Sequence, residues 1–303
     1  MTEMSFLQRL QLPRPVVADG ATGTNLQMRG LPAGAPPESW LFEKPEEIVR
    51  LHQDFLRAGA DLLLTCTFGA SPLRLADGKL AGRAVEVNHR AVELAVQAVE
   101  KFLQSQPERE PIFIAGSVGP SGQMLKPLGP VDEERMFASF AEQARALSEA
   151  GVDVLVVETQ FDLKEADLAV RACLEAGDAP VVVSFSYDRG VRTMMGVKPS
   201  QMAAQFNEAG VAMLGVNCGR SLEENFKNLQ ELKEATRLPI WFKPNAGLPH
   251  ADSEGRSVYD VTPEAMGAAA ASWLAAGAKV VGGCCGTSPE HLSKIAQTVK
   301  KGN

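Results

Sequence analysis

The sequence has no apolar run of the roughly 18 residues that a membrane-spanning helix needs, so no membrane partner is expected. The stretch from Met1 to Pro15 breaks its apolar positions with Glu3, Arg9 and Arg14, which leaves no secretory h-region. Positive charge is short as well. Thirty Lys and Arg face 37 Asp and Glu, for a net charge of −7, and no dense basic patch offsets it, which argues against a nucleic acid partner. Cysteine is scarce, five residues without framework spacing, as suits the reducing cytoplasm rather than a secreted disulfide scaffold. No linker rich in Pro, Gly or Ser divides the chain, so residues 1–303 are expected to form one domain.

What is present is a repeat of helix end, glycine and apolar run. It occurs at Ala58-Gly59-Ala60-Asp61-Leu62-Leu63-Leu64, Ala150-Gly151-Val152-Asp153-Val154-Leu155-Val156, and again around Gly177, Gly210 and Gly277. Glycine after a helix takes the left-handed cap conformation without steric cost. The runs that follow lack polar alternation, as in strands covered on both faces. Strands are expected at about residues 15–19, 60–66, 111–117, 152–158, 180–186, 212–217, 239–244 and 278–284. Helical patterns fill the intervals, several with Pro at the first position. Eight such units in 303 residues predict an α/β fold, a single (β/α)8 TIM barrel.

Active sites of such barrels form at the C-terminal ends of the strands. Reading only those ends brings together Asp19-Gly20-Ala21, Thr65-Cys66-Thr67, Ser117, Glu158-Thr159, Asn217-Cys218, Lys243-Pro244-Asn245 and Gly283-Cys284-Cys285-Gly286. Adjacent Cys284 and Cys285 are too close for an ordinary disulfide, since neighbouring Cα atoms lie about 3.8 Å apart and bridged ones about 4.4–6.8 Å. Soft-metal ligation and redox chemistry stay open, beside the plain alternative of cysteine as a small packed residue. Cys218 shares the rim, and three thiolates can face one tetrahedral Zn²⁺ at about 2.3 Å, leaving a fourth position for substrate. Neighbouring strand residues point to opposite faces, so the chain must turn off the sheet here, with Gly282, Gly283 and Gly286 as the expected hinge. Cys284 is expected as the last inward strand residue and Cys285 as the first of the loop. No histidine sits at a strand end to act as a general base. Asp19 and Glu158 suit an ammonium group, although an aspartate before glycine also serves as a turn cap. The turn at Gly20–Gly23 offers N–H groups to a carboxylate.

These motifs, Asp19-Gly20-Ala21-Thr22-Gly23-Thr24, Glu158-Thr159, Val216-Asn217-Cys218 and Gly283-Cys284-Cys285-Gly286-Thr287, resemble the homocysteine S-methyltransferase family. Phe68-Gly69-Ala70-Ser71 and Pro244-Asn245-Ala246-Gly247-Leu248-Pro249 are most similar to the homocysteine domain of cobalamin-dependent methionine synthase. The resemblance implies a methyltransferase of methionine biosynthesis in which Cys218, Cys284 and Cys285 hold zinc and homocysteine sulfur takes the open position. It further implies that Asp19 and Glu158 hold the substrate amine, and that Gly20, Ala21 and Ser117 hold its carboxylate. Asn245 would cap the metal through its side-chain oxygen when substrate is absent. Cys66 departs from the pattern, standing where the synthase branch commonly has asparagine.

The implied donor is methylcobalamin on a separate corrinoid protein, or on corrinoid and folate modules. None of His52, His89, His250 or His291 follows an Asp by two residues, so the Asp-x-His-x-x-Gly motif of a corrinoid module is not encoded here. A small donor such as S-methylmethionine, betaine or S-adenosylmethionine is the alternative. A thiol or zinc sensor on an inactive barrel is the reading from another class.

Overall fold

Each apolar run of the repeat becomes a strand, and each glycine before it ends a helix. In the computed structural model, which describes residues 4–109, 111–251 and 257–301, the glycines at 59, 151, 177, 210 and 277 all have positive φ. The Gly59 N–H closes the helix Pro45–Ala58 on the carbonyls of Phe55 and Leu56. The strands are β1 (Val16–Val17), β2 (Leu62–Leu64), β3 (Phe113–Val118), β4 (Val154–Gln160), β5 (Val181–Phe185), β6 (Met213–Cys218) and β7 (Ile240–Pro244). A short hairpin, β8 (Pro249–Ala251) and β9 (Ser257–Tyr259), precedes the last barrel strand, β10 (Ala278–Val281).

The sheet runs β1-β10-β7-β6-β5-β4-β3-β2, and every barrel pairing within it is parallel. A parallel bridge from Ala18 to Leu62 joins the two ends. That is the expected closed barrel. The helices after each strand also match expectation, for example Pro45–Ala58, Leu222–Ala235 and Pro263–Ala275. Three strands fall furthest short of the expected lengths, β1, β2 and β10. Their C-terminal residues leave regular strand geometry to build the rim, while the backbone ladder goes on. The Gly282 N–H still donates to Phe242 O, and the Cys284 N–H to Pro244 O.

Two apolar layers hold the fold. The outer one packs helices on the barrel and includes Trp40 and Trp273. The inner one fills the barrel with Val16, Leu64, Phe113, Val154, Val156, Met213, Trp241 and Val280. All three tryptophans are fully buried, as expected of packing residues. The helix Phe6–Gln11, which periodicity alone did not bring out, plugs the N-terminal end. Ser5 and Gln8 form a reciprocal capping box at its start, and Phe6 packs edge-on against Phe113 with ring centroids 5.6 Å apart. The C-terminal end is left for polar groups. Among the described residues no helix is long and apolar enough to cross a membrane.

Removing the plug tests its contribution. Phe6→Ala should lower unfolding stability in urea by about 3–5 kcal/mol. A loss below about 1 kcal/mol would show that the barrel core closes without it.

Candidate active site

On several strands the row of inward-facing residues turns polar above the inner apolar layer. On β3 the sequence Phe113, Ala115, Ser117 climbs to a hydroxyl, and on β4 Val154, Val156, Glu158 climbs to a carboxylate. On β6 the row ends in Asn217, and on β7 Trp241 is followed by Lys243. All four rim groups are buried. Above them opens a cavity of about 1070 Å³, lined by Gly20, Ala21, Ser117, Glu158, Lys243 and all three rim cysteines.

Cys218, Cys284 and Cys285 converge here, their sulfurs all within 4.8 Å of one another. The sulfurs of Cys218 and Cys284 stand 2.9 Å apart, and all five cysteines of the chain are free thiols. Cys284 and Cys285 lie beyond the assigned end of β10, so Cys284 keeps inward parity with Val280 without being in the strand. The turn that lets three sulfurs meet is shared differently from the expected hinge. Cys218 is itself left-handed, at φ 58°, followed by Gly219 at φ 75°. On the other side only Gly286 is left-handed, at φ 78°. Gly282 and Gly283 serve close approach: a Cβ at 282 would stand 2.6 Å from Ala18 O, and one at 283 would stand 2.2 Å from Thr287 Oγ1.

Asn217 ties these pieces together. Its Oδ1 accepts from the Thr159 N–H at 2.9 Å and from the Ser184 hydroxyl at 2.6 Å. Its Nδ2 donates to Thr159 Oγ1 at 2.7 Å and faces Cys218 Sγ at 3.6 Å. Glu158 accepts the Ser117 hydroxyl at 2.6 Å. Asp19 is buried, with Oδ2 on the Leu64 N–H at 2.8 Å and Oδ1 on Lys243 Nζ at 2.7 Å. The Ala21 N–H donates to Thr287 O at 3.1 Å, and the Ser117 N–H to Thr65 Oγ1 at 3.1 Å. Asn245 donates its N–H to Cys218 O and its amide Nδ2 to Gly219 O. Its buried Oδ1 has no hydrogen-bond partner among the described residues. Cys66 lines the cavity but lies outside the sulfur cluster. Sequence reading assigned no role to Asn217, Thr159 or Lys243. Only the alternation along β7, Trp241 inward and so Lys243 inward, could have singled out the lysine.

Residues 16–299 match the family model described as homocysteine S-methyltransferase. Methionine synthase of Mycobacterium leprae is 31% identical over 304 residues, covering 96% of this chain and 25% of that protein. Methionine synthase of Mycobacterium tuberculosis is 30% identical over 94% of this chain and 25% of its own length. The chain thus spans about a quarter of the length of these curated relatives. Among solved structures, the metallated form of the homocysteine methyltransferase MmuM from Escherichia coli superposes with a TM-score of 0.82. It is 27% identical, and the match covers 95% of this chain and 98% of that one.

Charge at the site is crowded. Hydrogen bonds from Cys218 and Cys284 pull the Cys285 thiol well below its ordinary range. The same contacts and burial push Cys218 well above its own. One negative charge is therefore easily held by the cluster, and further ones need a cation. Burial raises the Glu158 carboxyl to about 7; Cys284 adds to the rise, while Lys243 and the Ser117 hydroxyl oppose it. An acid whose folded pKa is raised keeps its proton longer in the native state, so folding stability falls as pH climbs from about 4.5 through about 7. The size of that fall is on the order of 3 kcal/mol. Urea melts of metal-free protein at pH 5 and pH 8 should show it in the wild type and find it much reduced in Glu158→Gln. Equal slopes in the two proteins would remove Glu158 as the source.

Proposed function

The chain belongs to the homocysteine S-methyltransferase family, a family of methyltransferases that act on homocysteine, and from that premise we propose that residues 1–303 serve as one zinc-dependent barrel that methylates homocysteine to methionine. The observation that carries the reading is the meeting of three sulfurs within 4.8 Å in the lining of a cavity that also holds Glu158. The donor set fits the ion. Ligands about 2.3 Å from a tetrahedral centre stand about 3.8 Å from one another, within the spread of this cluster. The orphaned Asn245 Oδ1 beside Cys218 supplies an oxygen that can complete the shell without substrate.

Cys218, Cys284 and Cys285 would hold zinc, with Asn245 as the fourth ligand until homocysteine arrives. A free thiol titrates near about 8.5, and bound Zn²⁺ would keep the substrate sulfur deprotonated at neutral pH without redox activity of its own. Glu158 receives the substrate ammonium through the oxygen that Ser117 leaves free, and Asp19 adds negative charge behind it. The carboxylate falls toward the Gly20–Ala21 turn, where the Gly20 N–H makes no hydrogen bond among the described residues. Held at three points, the sulfur can meet a methyl group in line, and this positioning removes much of the entropic barrier.

For the donor we propose methylcobalamin on a corrinoid protein or module. Large apolar side chains stand exposed around the rim, Met28, Phe68, Leu128, Met194 and Leu248, in the segments that follow β1, β2, β3, β5 and β7. A crown of this kind suits a protein partner over the cavity better than a small solute. Coverage of 98% of MmuM, a homocysteine methyltransferase of this one barrel, favours the second reading, a stand-alone enzyme using a small donor. Incubation with homocysteine and each of methylcobalamin, S-methylmethionine, betaine and S-adenosylmethionine, followed by assay for methionine, separates the two.

Zinc and sulfur ligation have their own test. The protein should carry about one zinc, and X-ray absorption should gain one sulfur neighbour at about 2.3 Å when homocysteine is added. Cys284→Ser should lose the metal while its melting transition stays cooperative, because the barrel core lies below the rim. An unchanged zinc spectrum with homocysteine present would sink the reading, and collapse of the fold with metal loss would point to a structural ion instead.

A further inference from the structure

Asp19 lies in a different position from the one a free amine-holding carboxylate would need. One of its oxygens accepts the Leu64 N–H at 2.8 Å, and the other accepts Lys243 Nζ at 2.7 Å. Both groups of the ion pair are buried, Asp19 with 1% and Lys243 with 3% of the side chain exposed. A lysine ammonium has three N–H donors. Asp19 takes one, and among the described residues the Lys243 ammonium makes no other hydrogen bond, although the residue lines the cavity. The ring of Trp241 beneath it, 5.7 Å from Nζ to centroid, holds the cation from below.

An amino acid brings two charges on one carbon. Its ammonium has a partner in Glu158, whose second oxygen accepts no hydrogen bond from the described residues. Its carboxylate can take the Gly20 N–H, a donor without net charge that is free among the described residues, and few others. The Ala21 N–H is committed to Thr287 O, and the Ser117 hydroxyl to Glu158. Everything else charged at the cavity floor is negative or becomes so: Asp19, Glu158 and the thiols. Of the four lysines and arginines that line the cavity among the described residues, Arg74, Lys79 and Arg83 come from the stretch after β2, and only Lys243 stands on a barrel strand. It lines the same cavity as Glu158 and the three thiols, and its charge favours the ionised forms of Glu158 and Cys284.

We propose that Lys243 is a substrate-binding residue whose ammonium holds the α-carboxylate of the amino acid beside the Gly20 N–H, with Asp19 as the anchor that aims it. The proposal rests on the homocysteine reading above. It gives each end of the zwitterion an opposite charge: carboxylate to Lys243, ammonium to Glu158. It also gives Asp19 a position one step back, joined to substrate through the lysine.

Binding to the zinc-loaded full chain tests this, by calorimetry with homocysteine and with 3-mercaptopropylamine, which keeps the thiol and amine and lacks the carboxylate. Wild type should prefer homocysteine by about 10–100-fold, the span of a charge-assisted hydrogen bond. Lys243→Met should bring the two ligands within about twofold while leaving 3-mercaptopropylamine near its wild-type affinity, and Lys243→Arg should restore part of the preference. Because Lys243→Met leaves Asp19 buried and unpaired, the double variant Asp19→Asn with Lys243→Met serves as the charge-balanced control and should lose the preference too. A preference that survives in the single and double variants overturns the proposal and leaves Lys243 as a structural partner of Asp19. Failure of homocysteine to bind wild type at all overturns the homocysteine reading, and this proposal falls with it.

Discussion

The reciprocal hydrogen bonds between Asn217 and Thr159 are the contact on which the site depends. Two non-glycine residues among those described have left-handed backbones, Thr159 at φ 59° and Cys218 at φ 58°. Each such residue costs about 1–3 kcal/mol and persists only where its surroundings over-determine it. Asn217 supplies that: it grips Thr159 by backbone and hydroxyl, stands next to Cys218, and is held by Ser184 from β5. Without the left-handed turn, Cys218 would follow strand parity and face away from the barrel axis, since Asn217 before it faces in. The sulfur cluster is thus a consequence of one amide side chain fixing two strained residues on the strand ends that flank β5.

The floor beneath the cluster obeys a second constraint, that buried charge must be paired. Asp19, Lys243 and Glu158 sit where the barrel's inner apolar layer ends, and none could be sustained there alone. Asp19 and Lys243 neutralise each other at 2.7 Å. Glu158 has only a hydroxyl, and its raised pKa records the shortfall. A site with one unmet carboxylate, one ammonium with spare donors and an easily ionised thiol is complementary to a zwitterion bearing a thiol. Storing polar groups without their full partners costs stability, and the layered core below, from Trp241 down to the Phe6 plug, offsets it.

Most of the scaffold was legible. Glycines at helix ends and unbroken β-branched runs specify eight units, because buried parallel strands need apolar residues on both faces and only glycine caps a helix cheaply in the left-handed form. The rim cysteines were legible for the same reason: once the strands are counted, their ends are known. Less visible were the hinge and the plug. The expected hinge at Gly282, Gly283 and Gly286 proved to be Cys218, Gly219 and Gly286, with the other two glycines making room for Ala18 and Thr287. A glycine in sequence does not say whether it is needed for its φ or for its missing Cβ. The helix Phe6–Gln11 is a single short amphipathic turn pair, too brief for its period to stand out.

By itself the sequence determined the barrel, the end of it that carries chemistry, and the convergence of three thiols with acidic groups there. These follow from local periodicity and from strand order, which are written along the chain. Tertiary structure alone decided which charged groups are already satisfied. Asp19 and Lys243 are 224 residues apart, and Ser117 and Glu158 lie 41 apart. Pairing of that kind depends on side-chain placement across the barrel, because charge-assisted hydrogen bonds in a poorly solvated interior are strong only at close, well-aligned geometry. No spacing along the chain encodes it.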